Sequence, residues 1–329
     1  LKHVSNRALR RELAQTLTRT EEHDEEDEPA AEAWLELSAE SLIPNSAAST
    51  KADAIMGSML DTRIAGRVAL VTGANHGIGA AIARALAAQG AQVFLTFLRN
   101  QPRADPAIPA IYYQERAKSA DWLVSEIEQM GGKAASWECD LSESSRIPEL
   151  FERADSTFGP VEILVNNADW CEPDSFLADG ISPTGAQQSA ISPEGHDAHF
   201  AVNSRAAALL MAEFGQRHRL RNAVWGRIIS ITSAGRDGHT GNASYGASKA
   251  ALESYTFTAA AELARFGVTA NIVEPMGTDT GWINTELAAV IKQRSRFQHV
   301  GLPGEVADVV LLFASHQARF LTGQRLQLQ

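Results

Sequence analysis

The sequence is poor in several things, and each shortage closes off a class of function. No apolar run approaches the roughly 20 residues needed to cross a bilayer. The opening stretch LKHVSNRALRRELAQTL is charged and amphipathic, without the apolar centre of a secretory signal. There are only 2 cysteines, Cys139 and Cys171. They cannot build a disulfide framework and have no partners at metal-ligand spacing, so we expect packing roles for them, no metal site and a reducing compartment. Basic residues are also in deficit, 29 Lys and Arg against 40 Asp and Glu, for a net charge of -11. That balance argues against a general nucleic-acid binder. The expectation is a cytoplasmic protein with neither membrane nor nucleic-acid partners.

What is present begins with an uneven distribution of acid. The run EEHDEEDEPAAEAWLELSAE, residues 21–40, is too charged to form a core, so residues 1–58 read as a disordered acidic extension. From Arg67 the pattern changes. RVALVT is a short apolar, β-branched run, GANHG a turn, and IGAAIARALAAQG a helix-periodic segment with a glycine stop. The same alternation continues through AQVFLTF, SADWLVSEIEQMGG, KAASWECD, SSRIPELFERADSTFG and VEILVNN. It then runs through a long helix around Asp197 to His218, GRIISITS, VTANIVEP and a last helix around Pro303 to Ser315. Repeated strand-helix units with apolar strands predict a doubly wound, Rossmann-like parallel sheet in an α/β/α arrangement, as one domain over residues 59–329.

Two local patterns carry chemistry. In TGANHGIG, Gly73, Gly77 and Gly79 lie between the first strand and first helix, where they permit a tight turn, bare backbone against a pyrophosphate and close helix packing. The spacing is not that of G-x-G-x-x-G. In NASYGASKAALESY, Tyr245 and Lys249 are four positions apart on a helical pattern and project from one face, so the ammonium can act on the phenol.

Taken together, these motifs resemble the short-chain dehydrogenase/reductase superfamily, in particular its 3-oxoacyl-reductase-like members, over about Arg67 to Leu328. The family's T-G-x-x-x-G-x-G matches Thr72 to Gly79, its N-N-A-G matches Asn166 to Asp169, and its Y-x-x-x-K matches Tyr245 and Lys249. The resemblance implies hydride transfer between a nicotinamide cofactor and a carbonyl or alcohol carbon. Tyr245 would be general acid/base, Ser233 would hold the carbonyl oxygen, and Lys249 would tune the phenol and bind the ribose. Asn203 would help hold a water for proton supply. For the cofactor it implies contacts from Gly73, Asn75, His76, Gly77, Ile78 and Gly79, from Asp140 and Leu141 at the adenine, and from Asn167 and Ala168. Pro275, Thr278 and Thr280, with Tyr245 and Lys249, would serve the nicotinamide end. It also implies a homodimer or homotetramer. Counting back from Tyr245 lands on Thr232 instead of Ser233; matching the strand GRIISITS selects Ser233, because a shortened loop is easier to accommodate than a slipped buried strand.

At the end of the second strand Phe97 stands where a carboxylate would accept the ribose hydroxyls of NAD, and Arg99 follows two residues later. NADP(H) is therefore favoured over NAD(H), with Arg99, assisted by His76, on the 2'-phosphate. Three departures stand out. Asp169 and Met276 replace family glycines, and residues 101–117 form an insertion that reads as a structured loop near the adenosine end. Trp170, Phe176, Trp282 and Ile283 are candidate apolar walls for a small carbonyl or alcohol, with a 3-oxoacyl thioester as the alternative. A nucleotide-binding but catalytically weak sensor or interaction protein is the competing reading.

Overall fold

The computed structural model describes residues 61–99, 105–177, 180–182, 185–233 and 238–329. The expected acidic extension over residues 1–58 lies outside them. Each apolar run forms a strand: β1 (Val68–Thr72), β2 (Gln92–Phe97), β3 (Lys133–Glu138), β4 (Val161–Asn166), β5 (Gly226–Ile231) and β6 (Val268–Glu274), with a short β7 (Arg325–Gln327) at the edge. They pair in parallel in the order β3-β2-β1-β4-β5-β6-β7. Strand order reverses at β1, whose neighbours are β2 and β4, and in such sheets the crevice at the carboxyl ends of the strands takes the ligand.

Because side chains alternate along a strand, each one feeds two cores. Ala69 and Val71 of β1 join one apolar cluster, and Val68 and Leu70 the other. Among the described residues the first helix, α1 (Gly77–Ala88), covers the first cluster, and eight further α-helices follow it along the chain. Those are α2 (Ala110–Arg116), α3 (Asp121–Gln129), α4 (Arg146–Phe158), α5 (Pro193–Phe200), α6 (Ala207–Leu220), α7 (Ala243–Leu263), α8 (Thr285–Arg294) and α9 (Pro303–Ala314). Ile82 and Leu86 of α1, Leu123 and Ile127 of α3, and Val310 and Phe313 of α9 fill the first core. Leu150 and Phe151 of α4, Leu210 and Phe214 of α6, and Leu252 of α7 fill the second. The three-layer arrangement read from the sequence is the one observed.

Two differences bear on the site. The helix expected around Asp197 to His218 runs from α5 into α6 through a π-helical segment, Ala201–Ala206, which widens the turn that carries Asn203. The insertion expected as a loop contains α2, anchored on three sides. Asn75 Nδ2 donates to the carbonyls of Arg116 (3.2 Å) and Lys118 (3.0 Å), Asp105 Oδ2 accepts from the Gln187 N–H (2.8 Å), and Asn284 Nδ2 donates to the Ala107 carbonyl (3.0 Å).

Candidate active site and cofactor cleft

The carboxyl ends of the central strands open on a cavity of about 590 Å³. Its floor is the turn after β1. Gly73 has φ +64°, and a Cβ there would lie 2.7 Å from Ala168 Cα; a Cβ at Gly79 would lie 2.2 Å from the Gly73 carbonyl oxygen. Only bare backbone fits both positions. The turn is stitched to the end of β4: Asn167 Nδ2 donates to the carbonyls of Thr72 and Gly73 (both 2.9 Å), and the Thr72 hydroxyl accepts from the N–H groups of Asn167 (2.9 Å) and Ala168 (3.0 Å). Helix α1 starts at Gly77, so the N–H groups of Gly77, Ile78 and Gly79 belong to a first turn without intrahelical partners. Thr280 roofs this turn, its Cγ2 2.9 Å from where a Gly77 Cβ would stand.

The remaining sequence-predicted cofactor residues divide into those brought together and those turned elsewhere. Asp140, Leu141, Pro275 and Thr278 line the same cavity. Asp140 Oδ1 also accepts from the Ser142 N–H at 2.8 Å, and the Thr278 hydroxyl donates to the Met276 carbonyl at 2.9 Å. The side chains of Asn75 and Asn167 serve the protein's own backbone, as described above. Arg99 is not among the lining residues. Its guanidinium and N–H hold Glu138, with Nη2 to Oε2 at 2.6 Å and Nε to Oε2 at 2.9 Å, and this pair draws the Glu138 carboxyl below its usual range. His76 lines the cavity, but burial and the nearby Arg116 charge lower its pKa to about 4. It is therefore neutral at pH 7 and brings no cation to a phosphate.

Three of the four reaction-end residues, Ser233, Tyr245 and Lys249, converge on the cavity. Tyr245 and Lys249 project from one face of α7, with Lys249 Nζ 5.6 Å from the phenol ring centroid and donating to the Ile231 carbonyl at 3.1 Å. Ser233 lines the cavity with Tyr245 and acts to lower the pKa of its phenol. Thr232 lines the cavity as well, but its hydroxyl is engaged, donating to Glu253 Oε1 at 2.9 Å. The phenol does not shift as the lysine alone would dictate. Burial, then the charge of Asp169, push Tyr245 well above its ordinary value, and burial pushes Lys249 down.

Asn203, 1% exposed, is committed to the backbone. Its Oδ1 accepts from the Trp170 N–H at 2.7 Å, and its Nδ2 donates to the Trp170 carbonyl (2.8 Å) and the Ser248 hydroxyl (2.9 Å). Both amide hydrogens are used, so the side chain clamps the strand-end segment to α7. His199 braces the same segment, its Nε2 accepting from the Glu172 N–H at 3.1 Å.

Sequence reasoning missed Tyr112 and Arg116, which enter the cavity from α2, and His239, whose ring stands 5.8 Å from that of Tyr245. Nothing local marks them, because an insertion's destination is a tertiary fact. Of the expected apolar walls, Trp170 and Trp282 line the cavity, whereas Phe176 is 91% exposed and Ile283 is not a lining residue. Among the described residues no cluster of His, Cys, Asp or Glu could hold a metal, and no helix is long and apolar enough to cross a membrane.

Comparison with known proteins matches residues 73–328 to the family described as enoyl-(acyl carrier protein) reductase. A short-chain type dehydrogenase/reductase of Picea abies is 34% identical over 271 residues, covering 79% of this chain and 90% of its own. An NADPH-dependent aldehyde reductase-like chloroplastic protein of Arabidopsis thaliana is 34% identical over 268 residues, covering 79% and 92%. Among solved structures, a short-chain dehydrogenase from Burkholderia cenocepacia J2315 in complex with NADP superposes with a TM-score of 0.66 at 30% identity, covering 81% of this chain and 98% of its own.

Proposed function

Because the chain belongs to the short-chain dehydrogenase/reductase superfamily and is an oxidoreductase of that type, we propose that it reduces the carbonyl group of a small molecule to the alcohol, with Tyr245 as the acid. The observation that carries this reading is the convergence of Ser233, Tyr245 and Lys249 on the cavity that holds the bare-backbone turn, with Lys249 Nζ 5.6 Å from the phenol ring centroid. The cavity suits a dinucleotide. Its floor admits no Cβ at Gly73 or Gly79, and three buried polar atoms without partners, His76 Nδ1, Thr96 Oγ1 and Trp170 Nε1, belong to lining residues. NADP(H) is favoured over NAD(H): no carboxylate stands at Phe97, and the relatives include an NADPH-dependent reductase and an NADP complex.

When bound, the nicotinamide supplies the hydride. The first turn of α1 would hold the diphosphate, Asp140 and Leu141 the adenine, and Pro275, Thr278 and Thr280 the carboxamide. Ser233 orients the substrate's carbonyl oxygen, and Tyr245 gives it a proton. The raised phenol pKa keeps that proton in place at pH 7, the state a reductase needs. Lys249 stands against the phenol and would reach the nicotinamide ribose. Asn203 fixes the Trp170 segment that forms one wall.

The test is a fluorescence titration of NADPH alongside turnover of a panel of aldehydes and ketones. Tyr245→Phe should retain NADPH affinity while turnover falls by ~10²–10⁴-fold. Near-normal turnover in that variant removes Tyr245 from the reaction. We also propose a homo-oligomer formed through α6 and α7, where Leu209, Tyr255 and Phe257 are exposed apolar or aromatic groups. Light scattering that finds a monomer at micromolar concentration contradicts it.

A further inference from the structure

The wall beside the glycine turn carries a cation that neither the motifs nor the proposed reaction uses. Arg116, at the end of α2, is half-buried and lines the cavity together with Tyr112, Asp169, Cys171, Ser233 and Tyr245. Its Nη1 donates to the Tyr112 hydroxyl at 2.7 Å, and its guanidinium stands 5.3 Å from the centroid of that ring. Among the described residues no carboxylate lies within ion-pair distance of it. Several arginines elsewhere do find one, Arg84 with Glu126 at 2.8 Å, Arg99 with Glu138 at 2.6 Å and Arg217 with Asp155 at 2.9 Å, whereas Arg221 and Arg227 donate to backbone carbonyls instead. Asp169 attracts Arg116 across the cavity without reaching it. A guanidinium removed from bulk water needs charge-matched acceptors, and here they must come from whatever enters the cavity.

The backbone around Arg116 is built to hold that position. Asn75 of the glycine turn donates to its carbonyl, and the Trp122 Nε1 donates to the Asn75 carbonyl at 3.2 Å. Tyr112 fixes the guanidinium and stands edge-on to His76, ring centroids 6.1 Å apart. Tyr112 and Arg116 line the same cavity as Ser233 and Tyr245, within which the pair can meet a bound substrate.

We propose that Arg116 and Tyr112 form an oxyanion subsite, and that the oxyanion is a carboxylate of the carbonyl substrate, so that the enzyme prefers oxo acids or formyl acids to neutral carbonyl compounds. This rests on the reading of the site as a carbonyl reductase. The guanidinium fork takes both carboxylate oxygens, the Tyr112 hydroxyl donates alongside it, and the carbonyl lies toward Ser233 and Tyr245. Asp169 sets a limit, since its charge opposes an anion and favours one that Arg116 can hold directly.

The experiment separates binding from turnover. Benzoate, and benzamide as a neutral control, are titrated calorimetrically into NADPH-saturated protein. Benzoate should bind about tenfold or more tightly than benzamide. Arg116→Gln should remove that preference, Arg116→Lys should keep part of it, and Asp169→Asn should tighten benzoate. In turnover, Arg116→Gln should lower kcat/KM for 4-carboxybenzaldehyde about ten- to hundredfold, mainly through KM, and leave methyl 4-formylbenzoate within about twofold. Equal binding of benzoate and benzamide by the unaltered protein overturns the subsite. If Arg116→Gln instead weakens NADPH and NADH equally in fluorescence titrations, the oxyanion is the cofactor's diphosphate and the substrate assignment is overturned. Failure of the unaltered protein to turn over either aldehyde, with benzoate still preferred through Arg116, counts against the carbonyl-reductase reading and leaves the subsite standing.

Discussion

Replacing Asn203 by alanine distinguishes a clamp from a proton relay. The substitution removes hydrogen bonds of 2.7, 2.8 and 2.9 Å from a side chain that is 1% exposed. At a net ~1 kcal/mol each they contribute ~3 kcal/mol. The orphaned Trp170 N–H and carbonyl would cost more, but water entering the space vacated by the amide offsets part of that. For a domain of this size each kcal/mol moves the melting temperature by roughly 2–4 °C, so a fall of about 6–12 °C is expected. Asn203→Asp sharpens the test. It keeps an acceptor for the Trp170 N–H but sets a carboxylate oxygen against the Trp170 carbonyl, so it should be no more stable than the alanine variant. Thermal denaturation followed by circular dichroism, with and without NADPH, reads both. A melting temperature changed by less than about 1 °C, with turnover lost, would refute the clamp and return Asn203 to proton supply.

Ser233→Ala should lower turnover by about 10²-fold or more, whereas Thr232→Val should act on stability through its lost bond to Glu253; equal losses of turnover would undo the register. Arg99→Ala should weaken NADPH roughly tenfold more than NADH, and Glu138→Gln, which releases the guanidinium, should tighten NADPH; paired fluorescence titrations decide, and no change in the NADPH to NADH ratio excludes Arg99 from the 2'-phosphate. Alcohol oxidation requires the phenolate, so its rate should rise only above neutral pH. Asp169 raises the Tyr245 pKa, so Asp169→Asn should move that rising limb to lower pH, and an unmoved or upward-shifted limb contradicts the electrostatic account.

Much of the site was legible because its motifs are local. Gly79 is dictated by the Gly73 carbonyl within one strand-turn-helix unit, and the shared face of Tyr245 and Lys249 by one helical turn, although Gly73 and Gly77 are also hemmed in by the distant Ala168 and Thr280. Arg99 shows where that reasoning stops. Its position in sequence promised a free cation, but β2 lies beside β3, and Phe97 pairs with Glu138 in the sheet, which brings a carboxylate to the arginine. Asn203 was located from its motif, while its role depends on the π-helical turn and on Trp170, 33 positions away.

By itself the sequence determined the doubly wound sheet, since continuously apolar strands alternating with helical segments must be covered on both faces. It also determined the bare-backbone turn and the face that joins the tyrosine to the lysine. Tertiary structure alone decided the electrostatics of the cavity. Burial and Asp169, more than Lys249, set the direction of the Tyr245 shift, and an insertion with no motif of its own delivered Tyr112 and Arg116 to the cavity wall. The reason is physical: backbone geometry and hydrophobic period act over a few neighbouring residues, whereas desolvation and Coulomb forces depend on what folding brings near.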